Sequence, residues 1–299
     1  MSEIEKIAID VVCPIYKGYS FLNLLYESLN KQNKVIINRI VFPITDSHDD
    51  EMIKIKEFVM KKNIIYFVVQ KNEFSHSLTR EKAIRDYCIS PIVVMISQDI
   101  KFTNYDVLYN LVKDIHDGNS AYNFARQICK NKSIEKYIRE KNYPKYSYYV
   151  SSDDIVKLQT MAFFASDACS AYDRNIFIKI GGYNGYDVMM SEDMLYSKII
   201  LEAGYKKKYC ADAIVEHSHK YTFKQLYKRY YDTGIFYSKV KMFDNYKTTN
   251  TGIHLAFYVL KRALLSFNIP VLLRWLPDMT SRFLGMKKGR KDGKKIWKV

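Results

Sequence analysis

Hydrophobic positions between residues 7 and 97 fall into two alternating patterns. Ile7 to Cys13, Ile37 to Phe42, Ile64 to Val69 and Ile92 to Ser97 are short runs dominated by Val and Ile. Runs of this length and composition predict strands buried on both faces. Between them, residues 20–33, 49–62 and 77–88 repeat apolar side chains every three or four positions, as at Phe21, Leu24, Leu25 and Leu29. That is the period of a helix with one buried face. The order βαβαβαβ predicts an α/β fold, a mostly parallel sheet with helices on both sides. Such sheets bind ligands beyond the carboxyl ends of their strands. Here those ends carry Pro14 to Lys17, Asp46 to Asp50, Asn72 to Arg80, and Gln98 with Asp99.

Farther along, residues 121–150 are rich in Lys, Tyr and Asn and suggest a loop with irregular helix. Ser191 is placed to cap a helix whose first turn holds Glu192 and Asp193, where carboxylates suit the helix dipole. Gly204 is placed to end that helix. Tyr209 to His219 alternates like a strand and closes on Glu216-His217-Ser218-His219. Residues 221–245 and 252–267 predict two helices, followed by a tail of Lys and Arg. No internal repeat is visible. Neither GxGxxG nor GxxxxGK[ST] occurs, which excludes the usual dehydrogenase dinucleotide site and the P-loop. A sheet of this kind without phosphate-binding glycines needs another grip on its ligand, and a metal ion held by side chains supplies one.

Composition narrows the class. A chain of 299 residues with 48% hydrophobic content is neither disordered nor a disulfide-stapled miniprotein. The net charge of +15 is unevenly placed: residues 1–204 hold 26 basic and 26 acidic side chains, residues 205–299 hold 21 and 6. This is a neutral body with a basic element at one end, not a uniformly basic nucleic-acid coat. Five scattered cysteines (Cys13, Cys88, Cys129, Cys169, Cys210) fit a reducing compartment. The acidic start, with no apolar run, is not expected to be a secretory signal. Lys261, Arg262 and Pro270 interrupt the apolar stretch Ile253 to Leu273, which argues against a spanning helix and leaves open one that lies on a membrane.

Candidate chemistry gathers in two places. His217 and His219 point to the same side of a strand, and Asp99 ends another strand. Singly, a surface histidine is usually structural and such an Asp usually starts a turn. Together, one carboxylate and one or two imidazoles suit Mn²⁺ or Mg²⁺ holding a diphosphate. Glu192 and Asp193 either serve the helix dipole or supply a base that takes a proton from an acceptor hydroxyl. Arg80, Arg126 and Arg229 are candidates to meet phosphate oxygens.

Taken in order, PIYK, TDSHDD, EFSHSLTRE, SQD, AYNFARQ, SDACSAYDRNIFIKIGGYN, SEDMLYSKIILEAGYKKKY and EHSHKYTFKQLYKRYYDTGIF resemble the family-2 glycosyltransferases of the GT-A fold. More narrowly they resemble bacterial rhamnosyltransferases that use dTDP-L-rhamnose. The similarity covers about residues 7–240. The family's F-N-H-G-G-T-R-N is echoed by Phe74 to Glu81, its T-Q-D by Ser97-Gln98-Asp99, and its G-R-Q by Ala125-Arg126-Gln127.

The resemblance implies a Rossmann-like GT-A domain over residues 1–245, and the apolar and basic patterning beyond it predicts a helical, basic, membrane-associating extension over 246–299. The resemblance further implies that Pro14, Tyr16 and Asp46 hold the nucleoside, with Arg80, Gln98 and Asp99 near the diphosphate and ribose. Asp99 would be the surviving carboxylate of the DxD metal motif, whose first position is Ser97, with His217 or His219 as a further ligand. Asp193 would be the general base, Glu192 the second choice, Arg229 the neutraliser of the leaving diphosphate, and Arg126 an acceptor contact. Gln225 to Tyr230 is one residue longer than the QxxRW of processive synthases, which implies addition of one or a few sugars without a transmembrane channel.

The implied reaction is an inverting transfer of L-rhamnose from dTDP-rhamnose to a hydroxyl of a saccharide, expected to be lipid-linked, in bacterial surface polysaccharide synthesis; the alternative within the same fold is a UDP-hexose or UDP-hexosamine donor. A nucleic-acid-binding protein is the alternative of another class. The expected location is the cytoplasm, against an anionic membrane at the inner face of the plasma membrane. Part of the basic third, Lys206 to Arg229, is expected to face the diphosphate, and residues 282–299, with eight basic side chains and one acid, to meet the membrane.

Overall fold

The computed structural model describes residues 5–246 and 249–296. Among these, nine strands form one sheet: β1 (Ile7–Val12), β2 (Val35–Thr45), β3 (Ile65–Val69), β4 (Ile92–Ile96), β5 (Lys101–Phe102), β6 (Tyr122–Ile128), β7 (Tyr148–Val150), β8 (Cys169–Asp173) and β9 (Lys207–Glu216). The order is β3-β2-β1-β4-β8-β6-β9-β5, with β7 also on β9. The first four strands are parallel; β8 runs antiparallel between β4 and β6, and β6 pairs β9 in parallel. The helices are α1 (Tyr19–Asn30), α2 (Asp50–Lys61), α3 (His76–Lys82), α4 (Val107–His116), α5 (Ile134–Asn142), α6 (Ile155–Leu158), α7 (Arg174–Lys179), α8 (Glu192–Glu202), α9 (Phe223–Lys239), α10 (Thr249–Leu265) and α11 (Ile269–Ile296).

Alternation along the strands sends two sets of side chains to opposite faces. Ile9 and Val11 of β1 join Leu22, Leu25 and Leu29 of α1 in an aliphatic core. Val12 and Met95 join the other core, which is aromatic: Tyr122, Phe124, Tyr172, Phe177, Tyr183, Tyr196 and Tyr209. The expected α/β fold is borne out, with its strands longer or shorter by a few residues than the apolar runs.

Three expectations need correction. Residues 121–150 are not mainly loop, for they contain β6, α5 and β7. The polar residue that obscured β6, Asn123, is fully buried because its amide donates to Leu111 O (2.7 Å) and accepts from Ser120 Oγ (2.7 Å). Ser191 stands at the start of α8 but in a left-handed conformation (φ 64°), and its side chain makes no capping bond. Gly204 does end α8: at φ 83° it lets Gly204 N–H reach Leu201 O and Tyr205 N–H reach Ile200 O.

The third correction concerns Arg282 in the tail, whose expected helical form is borne out by α11, packed along α9. A Cβ at Gly285 or Gly289 would collide with the carbonyl oxygens of Tyr227 and Tyr231, so only glycine permits this backbone approach. Arg282 is not a free surface charge. It pairs with Glu135 (2.7 Å) and Asp278 (2.6 Å) and donates to Tyr230 Oη (2.8 Å). A small separate core of Ile134, Tyr137, Ile138, Val259, Ala263 and Val271 joins α10 and α11 to α5. Residues 297–299 of the predicted basic tail lie outside the described residues. Among the described residues no helix is long and apolar enough to cross a membrane.

Candidate active site

A cavity of about 520 Å³ opens beyond the carboxyl ends of β1, β2 and β4, lined in part by Pro14, Tyr16, Arg80, Gln98 and Asp99. These five expected site residues therefore meet. Tyr16 is exposed, with Lys71 Nζ 5.9 Å from its ring centroid, and offers a flat face for a base. Gln98 clasps the Tyr16 backbone, accepting from its N–H (3.1 Å) and donating to its carbonyl (3.3 Å). Asp46 does not line the cavity, although its neighbour Thr45 does. Its Oδ1 accepts from His48 N–H (2.9 Å) and shapes the turn after β2.

Asp99, His217 and His219 converge with one ligand atom each, all within 4.8 Å of one another. His217 Nε2 is 3.5 Å from Asp99 Oδ1, and His219 Nδ1 is 3.6 Å from Asp99 Oδ2. The orientation of His217 follows from Gln127 on β6. The Gln127 amide N–H donates to Ser166 Oγ (2.6 Å), which turns Oε1 toward His217 Nδ1 (2.9 Å). An amide oxygen only accepts, so Nδ1 carries the proton and a neutral His217 presents the Nε2 lone pair to Asp99. Two acceptors then face each other, and either a second proton or a cation fills the gap. Burial pushes the Asp99 carboxyl up, and the hydrogen bond and charge of a protonated His217 more than reverse it. His219 is held down to about 4, by burial first and His217 second, so at neutral pH it is an uncharged donor. The residues fit a divalent cation of the Mn²⁺ or Mg²⁺ kind.

The second cluster adjoins the cavity, whose lining includes its members His76 and Arg80. Buried Asp167, just before β8, accepts from Tyr122 Oη (2.9 Å), Ser170 Oγ (2.6 Å) and Tyr172 Oη (2.7 Å). Arg80 Nε lies 3.8 Å from it, while another Arg80 nitrogen lies 3.2 Å from Glu192 and 2.7 Å from His76 Nδ1. Burial opposes the Arg80 charge, but Glu192 and Asp167 more than restore it. His76 is held down to about 4, chiefly by burial, and accepts from Arg80 as a neutral ring. Burial raises Glu192, yet the charge of Arg80 outweighs it and keeps the carboxylate ionised. Asp193 differs. Burial, then the negative charges of Glu192 and Asp167, push its carboxyl well above the usual range. It accepts from Met194 N–H (2.7 Å) and Asp167 N–H (3.4 Å).

The remaining arginines lie elsewhere. Arg229 is exposed on α9, 5.8 Å from the Tyr221 ring centroid, and Tyr221 in turn sits beside the His219 ring (5.1 Å). Arg126 on β6 is partly buried, and its Nε has no hydrogen-bond partner among the described residues. The lysines after α8 do not face a diphosphate. Lys207 is buried with Nζ on Phe164 O (2.6 Å), and Lys208 pairs with Asp114 (2.7 Å). Sequence reasoning gave no role to Asp167 or Gln127. Both stand inside quoted strings, SDACSAYD and FARQ, but their partners come from distant strands.

No protein-family model matches the chain. The O-antigen chain rhamnosyltransferase RfbN of Salmonella typhimurium is 29% identical over 232 residues, covering 77% of this chain and 72% of the relative. The O-antigen chain rhamnosyltransferase WbaN of Salmonella anatum is 31% identical over 231 residues, covering 76% and 71%. Among solved structures, the mannosyltransferase PcManGT from Pyrobaculum calidifontis, in complex with GDP-Man and Mn²⁺, covers 98% of this chain and 88% of its own, with a TM-score of 0.59 and 14% identity. That last likeness is one of fold. The fold is that of a GT-A-like glycosyltransferase structure, and the two rhamnosyltransferase relatives bear out the expected enzyme class. Within that class the chain belongs to the rhamnosyltransferase family that includes the two Salmonella proteins.

Proposed function

We propose that the protein transfers L-rhamnose from dTDP-L-rhamnose to a hydroxyl of a lipid-linked saccharide, in the synthesis of a bacterial surface polysaccharide of the O-antigen kind. The observation that carries this reading is the 31% identity to a rhamnosyltransferase across 76% of the chain. The acceptor oxygen bonds to the anomeric carbon and gives its proton to Asp193. The carbon–phosphate-oxygen bond breaks, and its electron pair leaves with dTDP on the opposite face, inverting the centre. The raised affinity of Asp193 for protons suits a base that must hold one after transfer. Glu192, committed to Arg80, positions the guanidinium and is the weaker candidate.

Asp99, His217 and His219 would hold Mn²⁺ or Mg²⁺, which supplies Lewis-acid stabilisation of charge on the leaving diphosphate. Arg229, exposed beside Tyr221, adds a mobile positive charge near the same place. Pro14 and Tyr16 meet the nucleoside, with Asp46 shaping the neighbouring turn. Arg126, partly buried on β6, is the proposed acceptor contact. An acceptor on a membrane lipid places the enzyme on the cytoplasmic face of the plasma membrane, where the basic C-terminal third meets anionic lipid.

The deciding experiment offers the purified protein dTDP-L-rhamnose, UDP-hexoses and UDP-hexosamines, with and without Mn²⁺ or Mg²⁺, and measures nucleotide release. Release from dTDP-rhamnose that requires the metal is expected. Preference for a UDP-sugar replaces the donor, and release that ignores the metal removes the cation from the mechanism.

A further inference from the structure

The turn between α10 and α11 carries an apolar surface that the fold leaves uncovered. Leu264, Leu265, Phe267, Ile269, Leu273 and Leu276 are all exposed, Phe267 at 85% and Leu273 at 76%. Single exposed apolar residues are ordinary, but six large ones along one turn and the following helix are not. These helices have already met their packing needs on the other side, where Val259, Ala263 and Val271 bury against Tyr137. The turn is also firmly built: Ser266 Oγ lies 2.6 Å from Tyr137 Oη, and Asn268 Nδ2 donates to the same hydroxyl (3.2 Å). Phe267 nevertheless stands in the left-handed region at φ 49°, where a bulky side chain is strained and Gly or Asn is the usual occupant. A strained, solvent-facing phenylalanine at the tip of a fixed turn contributes nothing to the core.

The charge beside it points to an occupant. Along α11 the outward positions Leu273, Leu276, Phe283, Lys287, Lys291 and Lys294 follow one another at helical spacing, and all are exposed. One face thus changes from apolar to lysine along its length. We infer that the α10–α11 turn is a wedge that enters an anionic bilayer, with Phe267 and Leu273 among the lipid chains and Lys287, Lys291 and Lys294 at the phosphates. This rests on the membrane placement proposed above and relocates its anchor. The apolar turn does the inserting, and the lysines of α11 supply attraction as part of a packed helix, each strengthening binding about fivefold.

The test uses the full chain with vesicles of phosphatidylcholine alone or mixed with phosphatidylglycerol. Phe267→Ser/Leu273→Ser changes only exposed side chains, and Lys287→Glu/Lys291→Glu/Lys294→Glu changes only the charge. Wild-type protein is expected to sediment with anionic vesicles, and each variant to lose at least tenfold in partitioning. Nucleotide release without vesicles and thermal midpoints should stay unchanged. If the wild type binds and the Ser variant binds equally well, the wedge is wrong while the membrane reading stands. If the wild type ignores both vesicle types, both fall. If it instead self-associates, and the Ser variant alone abolishes this, the surface belongs to a second copy of the chain.

Discussion

Asp99 and Asp167 leave the same end of the sheet, one just after β4 and the other just before β8, and these strands are antiparallel neighbours. Their surroundings are opposite. Three hydroxyls and an arginine close around Asp167, so its charge is spent inside the protein. Asp99 faces two imidazoles, of which His217, with its Nδ1 proton held by Gln127, presents a lone pair when neutral, so the Asp99 charge is less fully paired inside the protein. The pair shows that a carboxylate's task is set by which donors the fold brings to it. The same contrast recurs one residue apart on α8, where Glu192 is neutralised by Arg80 and Asp193 is crowded by negative charge.

The largest expected effect comes from removing the crowded carboxylate. Asp193→Asn should lower the single-turnover transfer rate by about 10²- to 10⁴-fold while calorimetry finds donor affinity intact. An equal fall in donor binding would return Asp193 to a structural role. Next, Arg80→Leu leaves Asp167 and Glu192 without their cation inside the protein. Urea unfolding should report a loss of about 3–5 kcal/mol, and a variant as stable as the parent would contradict the closed cluster.

The open site should respond differently. Gln127→Ala frees the His217 ring, and Mn²⁺ titration should show affinity weakened about 10- to 100-fold. Unchanged affinity would mean that the ring is oriented by something other than Gln127. The smallest effect is a shift in pH dependence. A base works only when ionised, so activity falls as pH drops through the raised pKa of Asp193. Glu192→Gln removes a negative charge that raises it and frees Arg80, which lowers it, so the acid limb of kcat/KM should move to lower pH. A limb that stays in place belongs to another group.

The parallel half of the fold was legible because β1, β4 and the end of β2 are buried on both faces and rich in Val and Ile, and edge strand β3 shares that composition. The antiparallel half was not, since Asn123 on β6 and Ser170 on β8 are polar residues buried with partners supplied by other elements. In the site, the candidate ion ligands showed in the sequence because two of them, His217 and His219, are separated by one residue in EHSH. Gln127 acts through side chains 39 and 90 residues away, Ser166 and His217, and Asp167 joins its neighbours Ser170 and Tyr172 to the distant Tyr122 and Arg80. No local pattern announces such pairs. The helical form of the tail was legible as well, but its contact with α9 was not, because that contact is made by glycines, which carry no pattern of their own.

Those glycines divide the C-terminal segment into two kinds of position that composition cannot distinguish. Each costs α11 about 1 kcal/mol of helix propensity relative to alanine, a cost that only the close approach to α9 offsets. Facing outward, Lys287 or Lys291 can drift to any polar residue without moving the backbone. Facing inward, Gly285 and Gly289 admit no side chain, because even a methyl group strikes the carbonyls of Tyr227 and Tyr231. A stretch that looks freely variable thus has, at every fourth residue, the narrowest tolerance for substitution in the helix.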